Sequence, residues 1–342
     1  MSTRRTALFS IAATAAGLAC FAAQAADEAL IAAARKEGSV TWYSTNIIDQ
    51  FVRPVAAGFE KKYGVKVDYV RASSAELALR VFNEIRADRL QADVVDGMTT
   101  AVRLKKEGHI MKWQPQSDLP KRLFDPEGYW VATTTYTMSP GRNTEMIPDA
   151  IAPKTYEDLL DPRLKGKMVW NKQPSSTSAQ GFIGNVLASM GEEKGRAYLA
   201  RLAKQQIAGV DVSARQVLAL AVAGEFPLAL QVPSNFMGLV GRKGAPVTWV
   251  PLEPALAVFS VASITAKAPH PNAAKLLIEY LISLEAQTII AAADEVPIHP
   301  GIEIKDAAVR PDPEKFKLNF MTPEMLEASL PAWAKIYDEL FK

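Results

Sequence analysis

Apolar residues recur along this chain at two spacings that alternate. Ser39 to Tyr43 (SVTWY) is a β-rich run, and beyond it Phe51, Val55 and Phe59 fall at helical spacing up to Lys62. Lys66 to Val70 (KVDYV) predicts a second strand. Ser73-Ser74-Ala75-Glu76 then has capping-box spacing, in which a serine oxygen accepts an unpaired N–H of the first turn and the glutamate answers the serine's own N–H. The helix it opens should run to about Leu90, with Leu77, Val81 and Ile85 or Phe82 inward. Ala92 to Val95 (ADVV) predicts a third strand, and Thr99 to Glu107 a helix that stops at Gly108. Strands and helices in this order predict a parallel sheet covered by helices.

The middle of the chain repeats the theme. Tyr129 to Thr137 (YWVATTTYT) is a β-type run leading into Pro140-Gly141-Arg142-Asn143-Thr144, which predicts a turn. Thr155 to Leu160 predicts a short capped helix, and Lys167 to Asn171 a strand. Pro174 to Gln180 is a cluster of hydroxyls opening a helix to about Met190, with a further helix over Gly191 to Ala203. Ser213-Ala214-Arg215-Gln216 repeats the capping-box spacing and starts a helix that ends near Gly224, before a strand over Phe226 to Gln231. Gly238, Gly241 and Gly244 lack the lysine and hydroxyl of a phosphate loop and predict a surface turn.

Val247 to Val250 and Ala255 to Ile264 return in β form. Asn272 to Ser283 and Glu285 to Ala293 predict paired helices, and Thr322 with Pro323 caps the last ones. The expected fold class is therefore α/β in two lobes, each a mainly parallel sheet flanked by helices, joined by two crossing hinge strands. The boundaries are 26–136 with 262–320 for the first lobe, 137–261 for the second, and C-terminal helices over 321–342.

The start of the chain changes where this body is expected. Arg4 and Arg5 precede an uncharged apolar run from Ala7 to Ala23, and Ala23-Gln24-Ala25 is the small-x-small pattern of signal cleavage. Residues 1–25 are expected to be a signal peptide for export to the periplasm, by the general secretory route rather than the twin-arginine one. No later stretch is apolar enough to predict membrane insertion of the mature chain. Cys20, the one cysteine, falls within the signal, so the mature chain has no disulfide, thiol nucleophile or thiolate metal site.

Charge narrows the partners. The chain has 39 Lys and Arg against 37 Asp and Glu. Without Arg4 and Arg5 the two signs balance, which argues against a nucleic-acid partner. There is no G-x-S-x-G and no H-E-x-x-H, and the histidines, His109, His270 and His299, sit beside glycine or proline in expected solvated loops. No catalytic role is predicted.

Tyr43-Ser44-Thr45, Ala92-Asp93-Val94-Val95, Tyr129-Trp130, Arg142-Asn143-Thr144, Gly224-Glu225-Phe226-Pro227, Pro271-Asn272-Ala273-Ala274-Lys275 and Ser283-Leu284-Glu285-Ala286-Gln287 occur in an order that resembles the periplasmic solute-binding proteins of ABC importers, in their ferric-iron-transport-like branch. The resemblance covers nearly the whole mature chain. It implies a two-lobe binder closing over a small-molecule solute and docking on an inner-membrane ABC permease; the expected state is a monomer without a cofactor. Feeding a chemoreceptor is a variant of the same role.

The resemblance also raises iron. The position where such members supply a histidine falls on or beside Ile47, that of one tyrosine is Arg142, and a tyrosine pair is replaced by Pro233-Ser234-Asn235-Phe236. Only Tyr43 is left as a phenolate if iron binds, so no metal site is predicted. The expected ligand-binding residues are Ser44, Thr45, Asn46, Ser73, Ser74, Thr99, Arg142, Ser175, Ser176, Thr177, Ser178, Ser234, Asn235 and Phe236. Hydroxyls at helix starts, with a bidentate arginine, suit a carboxylate, phosphonate or sugar phosphate. The expected cargo is thus a small anionic organic solute, with ferric iron or a ferric chelate as the alternative.

Overall fold

The computed structural model describes residues 28–174, 176–302, 304 and 316–342; the expected signal over 1–25 with Cys20, and Ser175, lie outside them. A helix over 28–37 (α1) leads into β1 (Ser39–Ser44), which pairs in parallel with β2 (Lys66–Arg71), Ser39 opposite Lys66 through Ser44 opposite Arg71. On the other side of β1 lies β3 (Val94–Asp96), also parallel. Between the strands run α2 (Arg53–Tyr63), α3 (Ser74–Arg86) and α4 (Met98–Lys106). Gly64 ends α2 in the left-handed conformation, and Ser73 and Glu76 form the expected capping box of α3.

Two long strands then carry the chain between units. β4 (Val131–Asn143) and β9 (Ala255–Ile264) are antiparallel neighbours, with Val131 opposite Ala262 and Met138 opposite Leu256. The far end of β9 pairs with β3, and the far end of β4 pairs with β7 (Leu228–Pro233) and β8 (Val247–Trp249). Beyond β7 lie β5 (Met168–Asn171) and β6 (Ala208–Val210), both parallel to their neighbours. α5 (Ala179–Met190), α6 (Glu192–Ala203), α7 (Ala214–Val222) and α8 (Ser234–Gly241) cover this second unit. The chain returns to the first unit through α9 (Pro271–Ile282) and α10 (Leu284–Ala292), then adds β10 (Leu318–Met321) beside β9 and ends in α11 (Pro323–Phe341).

Each unit has its own apolar core. Trp42, Phe59, Leu277 and Tyr280 belong to the first, while Trp170, Phe182, Leu199 and Trp333 belong to the second. Fully burying a side chain of this size contributes about 1.5–3 kcal/mol, so each core is a substantial source of stability on its own. The hinge strands join two packed bodies.

Four expectations change. The turn predicted over Pro140 to Thr144 is mostly strand: Pro140 falls where the β4 register against β7 shifts, so its missing N–H leaves no ladder bond unmade, and its carbonyl accepts from Val250 N. Gly141 fits there because a Cβ would lie 2.5 Å from Met237 Sδ. Gly238 and Gly241 belong to α8 rather than to a surface turn, and only Gly244, at φ +88°, lies in the turn beyond its C-cap Arg242. The several C-terminal helices are one helix that contains Pro331, packed on α5 by Trp333 and on Trp170 of β5 by Tyr337. Finally, His270 is a structural partner, its backbone N–H donating to Asp93 Oδ1 at 2.6 Å with Nδ1 2.9 Å from Oδ2.

Candidate functional site

A cavity of about 510 Å³ lies between the units, where strands end and helices begin. The first unit lines it with Thr45, Asn46 and Ile47 after β1, Arg71 at the end of β2, and Met98 at the start of α4. The second contributes Thr177, Arg215, Pro233 and Phe236, from the starts of α5, α7 and α8. Tyr136, Met138 and Val258 of the hinge strands form the floor with Glu295, just beyond α10.

The hydroxyl loop after β1 is occupied by a carboxylate of the protein itself. Asp96, fully buried at the end of β3, accepts from Ser44 Oγ at 2.5 Å, from both the backbone N–H and Oγ1 of Thr45, the latter at 2.7 Å, and from Asn46 Nδ2 at 2.9 Å. Burial raises the Asp96 pKa against the lowering effect of these bonds. Gly97 follows at φ +106°, where a Cβ would sit 2.6 Å from Ser74 Oγ, so the loop closes only over glycine. Ser44 is thereby withdrawn from ligand contact, while Thr45 and Asn46 reach the cavity from a loop that Asp96 holds rigid.

The other expected residues divide. Ser73 is an exposed helix cap, and Ser74 clamps α4, its Oγ accepting from Thr100 N at 3.0 Å. Thr99 is half-buried and Met98 takes its place in the wall. Ser176 Oγ accepts from Ser178 N, and Ser178 Oγ from Asn171 N, so within this described cluster Thr177 is the member lining the cavity. Ser234 is buried in the first turn of α8, and Asn235 Nδ2 donates to the Asp294 carbonyl at 3.3 Å. Phe236 lines the wall.

Two expectations fall on the wrong side of their strands. Arg142 is buried in the second unit, donating to the Ile147 carbonyl and paired with Asp149. Tyr43 is buried under α3, its hydroxyl donating to Glu84 Oε1 at 2.5 Å with the Arg80 guanidinium 4.7 Å from its ring centre. Burial and the Glu84 carboxylate both raise its pKa, so Tyr43 is not a cleft phenolate. The positions linked to iron by resemblance do reach the cavity at Ile47, Pro233 and Phe236, and all three are apolar.

The charges that face the cavity are ones the sequence reading did not select. Arg71 enters from the first unit and Arg215 from the second, the latter 4.0 Å over the Phe236 ring. Arg215 occupies the second position of α7, against the helix dipole. A cation placed where an anion is favoured was the available signal. Glu295 is raised to about 7, chiefly by burial, with Arg215 and the Tyr136 hydroxyl opposing and Asp294 adding to the rise. Burial also raises the Tyr136 phenol. Among the described residues no group of three or more His, Cys, Asp or Glu forms a metal site.

The two-lobe body, its crossing strands and its interlobe cavity define a type II periplasmic binding fold. Iron-bound HitA from Pseudomonas aeruginosa superposes with a TM-score of 0.73 at 19% identity, over 88% of this chain and 99% of that one. A sequence model of the family described as bacterial extracellular solute-binding protein matches residues 87–327, and the chain belongs to that family. Members bind small solutes and work with an inner-membrane permease. Among relatives, the iron uptake protein A1 of Synechocystis is 22% identical over 304 residues, 83% of this chain and 82% of that one. A putative 2-aminoethylphosphonate-binding periplasmic protein of Salmonella typhimurium is 23% identical over 304 residues, covering 87% and 84%. No helix among the described residues is long and apolar enough to cross a membrane.

Proposed function

We propose that this protein captures a small anionic organic solute, a carboxylate, phosphonate or sugar phosphate, in the periplasm and delivers it as a monomer to an ABC permease. The carrying observation is the pair Arg71 and Arg215, which enter one cavity from opposite units. Neither guanidinium is held by a carboxylate among the described residues. The starts of α4, α5, α7 and α8 each place a residue at the same cavity, and the unpaired N–H groups of helix starts favour a negative ligand. An anion bridging the two arginines has its full contacts only when the lobes meet, so binding drives hinge closure. The moving bodies would be 26–136 with 262–320, and 137–261.

Ferric iron is the second reading, supported by the iron-linked relatives and by Tyr136 and Glu295 as oxygen donors in the cavity. Two arginines beside a trivalent cation oppose it. Titration calorimetry with phosphonates, carboxylates, sugar phosphates, ferric citrate and ferric ion decides between them. The expected result is anion binding that Arg71→Ala and Arg215→Ala each weaken about tenfold or more. A visible phenolate-to-iron absorption band with no response to iron-free anions would overturn it.

A further inference from the structure

We infer that Glu295 forms a second, oppositely charged subsite in the cavity, and that the solute is a zwitterion whose protonated amine meets Glu295 while its acidic group lies between Arg71 and Arg215. This rests on the anion-capture reading above. A carboxylate in the floor of an anion pocket repels the cargo unless the cargo also carries a positive group. Glu295 is also incompletely bonded: its Oε2 is buried without a hydrogen-bond partner. A buried acceptor left unmet costs about 1–3 kcal/mol, which a bound donor removes.

Once Glu295 is ionised both of its oxygens only accept, so the missing group must be a donor, which excludes the acidic end of the solute. Phosphonate and carboxylate oxygens only accept, whereas an ammonium carries three donors and no acceptor. Asn235 lies beside this segment, behind the residues that line the cavity. With Nδ2 on the Asp294 carbonyl, next to Glu295, its own Oδ1 is left buried and without a partner. Two neighbouring residues thus hold unanswered acceptors.

The charged groups around Glu295 do not already neutralise it. Arg215 acts on it at a distance, but its guanidinium lies over Phe236 and forms no ion pair with Glu295 among the described residues. Asp294 pairs with Arg242 and adds negative charge, Tyr136 supplies one hydroxyl, and Arg71 stands at the opposite wall. A carboxyl raised to about 7 by burial gains most from a cation that restores its charged form.

The test is titration calorimetry on the native protein at about pH 8, above the Glu295 value, with isosteric pairs that differ only in the amine. 2-Aminoethylphosphonate is compared with n-propylphosphonate, and β-alanine with butyrate. The amine-bearing member of at least one pair is expected to bind about tenfold more tightly, and Glu295→Gln to bring that ratio within about twofold. Equal binding within both pairs, or a ratio unchanged in Glu295→Gln, overturns the subsite while leaving the anion reading intact. Binding by no member of either pair overturns the zwitterion inference, and the anion reading falls with it only if the sugar phosphates and the other iron-free anions also fail to bind. The comparison on native protein needs no variant, so a Glu295→Gln chain that failed to fold would not shelter the inference.

Discussion

Asp96 and Glu295 are two carboxyl groups at the same interlobe cleft, both raised by burial, and they differ in their partners. Asp96 is surrounded by donors from Ser44, Thr45 and Asn46 and lies wholly inside the first unit. Glu295 has the Tyr136 hydroxyl and an oxygen with no partner, and it lines the cavity. The first is complete without a ligand and the second is not. A polar residue near a cleft therefore offers a solute only the atoms that no buried group elsewhere in the chain has already engaged.

The largest effect should come from the completed carboxylate. Asp96→Ala leaves the Ser44, Thr45 and Asn46 donors without their acceptor and is expected to lower stability by about 3–4 kcal/mol in urea denaturation. A loss under about 1 kcal/mol would mean that the loop holds itself. Next comes the incomplete one. Between about 4.5 and about 7 folded Glu295 retains a proton that the unfolded chain has released, so stability falls as pH rises through this window and levels off above it. Allowing for partial exposure, the fall is on the order of 2 kcal/mol, and Glu295→Gln should flatten it in pH-dependent melting.

Smaller effects separate structural polar groups from ligand groups. Arg142→Ala should cost about 1–2 kcal/mol of stability, because it frees the Ile147 carbonyl, while changing anion affinity by less than about twofold. A tenfold affinity loss in calorimetry would return Arg142 to the site. Ser73→Ala removes only a helix cap, with an expected loss of about 1 kcal/mol by denaturation and no change in affinity.

Local chemistry made much of the architecture legible. The capping boxes at Ser73 and Ser213 mark α3 and α7, and the β-rich runs at 39–43, 66–70 and 255–264 mark β1, β2 and β9. What failed were the places where a neighbour overrides a local signal. Pro140 and Gly141 look like a turn, but a register shift and the close approach of Met237 make that pair fit a strand. The same holds for the site. Ser44 looks free until Asp96, 52 residues later, is folded against it, and Arg142 looks cleft-facing until Asp149 and the Ile147 carbonyl turn it away. Arg71 and Arg215 went unselected because an arginine at a strand end or in a helix's first turn carries no spacing motif. Only the fold brings them to one cavity.

The final helix fastens the two bodies beside the hinge strands. α11 packs through Trp333 and Tyr337 on the second unit, yet Glu324 in its first turn accepts from Trp130 Nε1 at 2.8 Å and pairs with Lys105, near the end of α4, at 3.3 Å. α4 begins at Met98 in the cavity wall, so one rod runs from the cargo to this clasp. Severing the chain before Pro323 would strip the greasy flank of Trp170 and unbutton the lobes at a single stroke. The tail of the polypeptide is a strap, joining Trp130 and Lys105 of the first unit to the Trp170 cluster of the second.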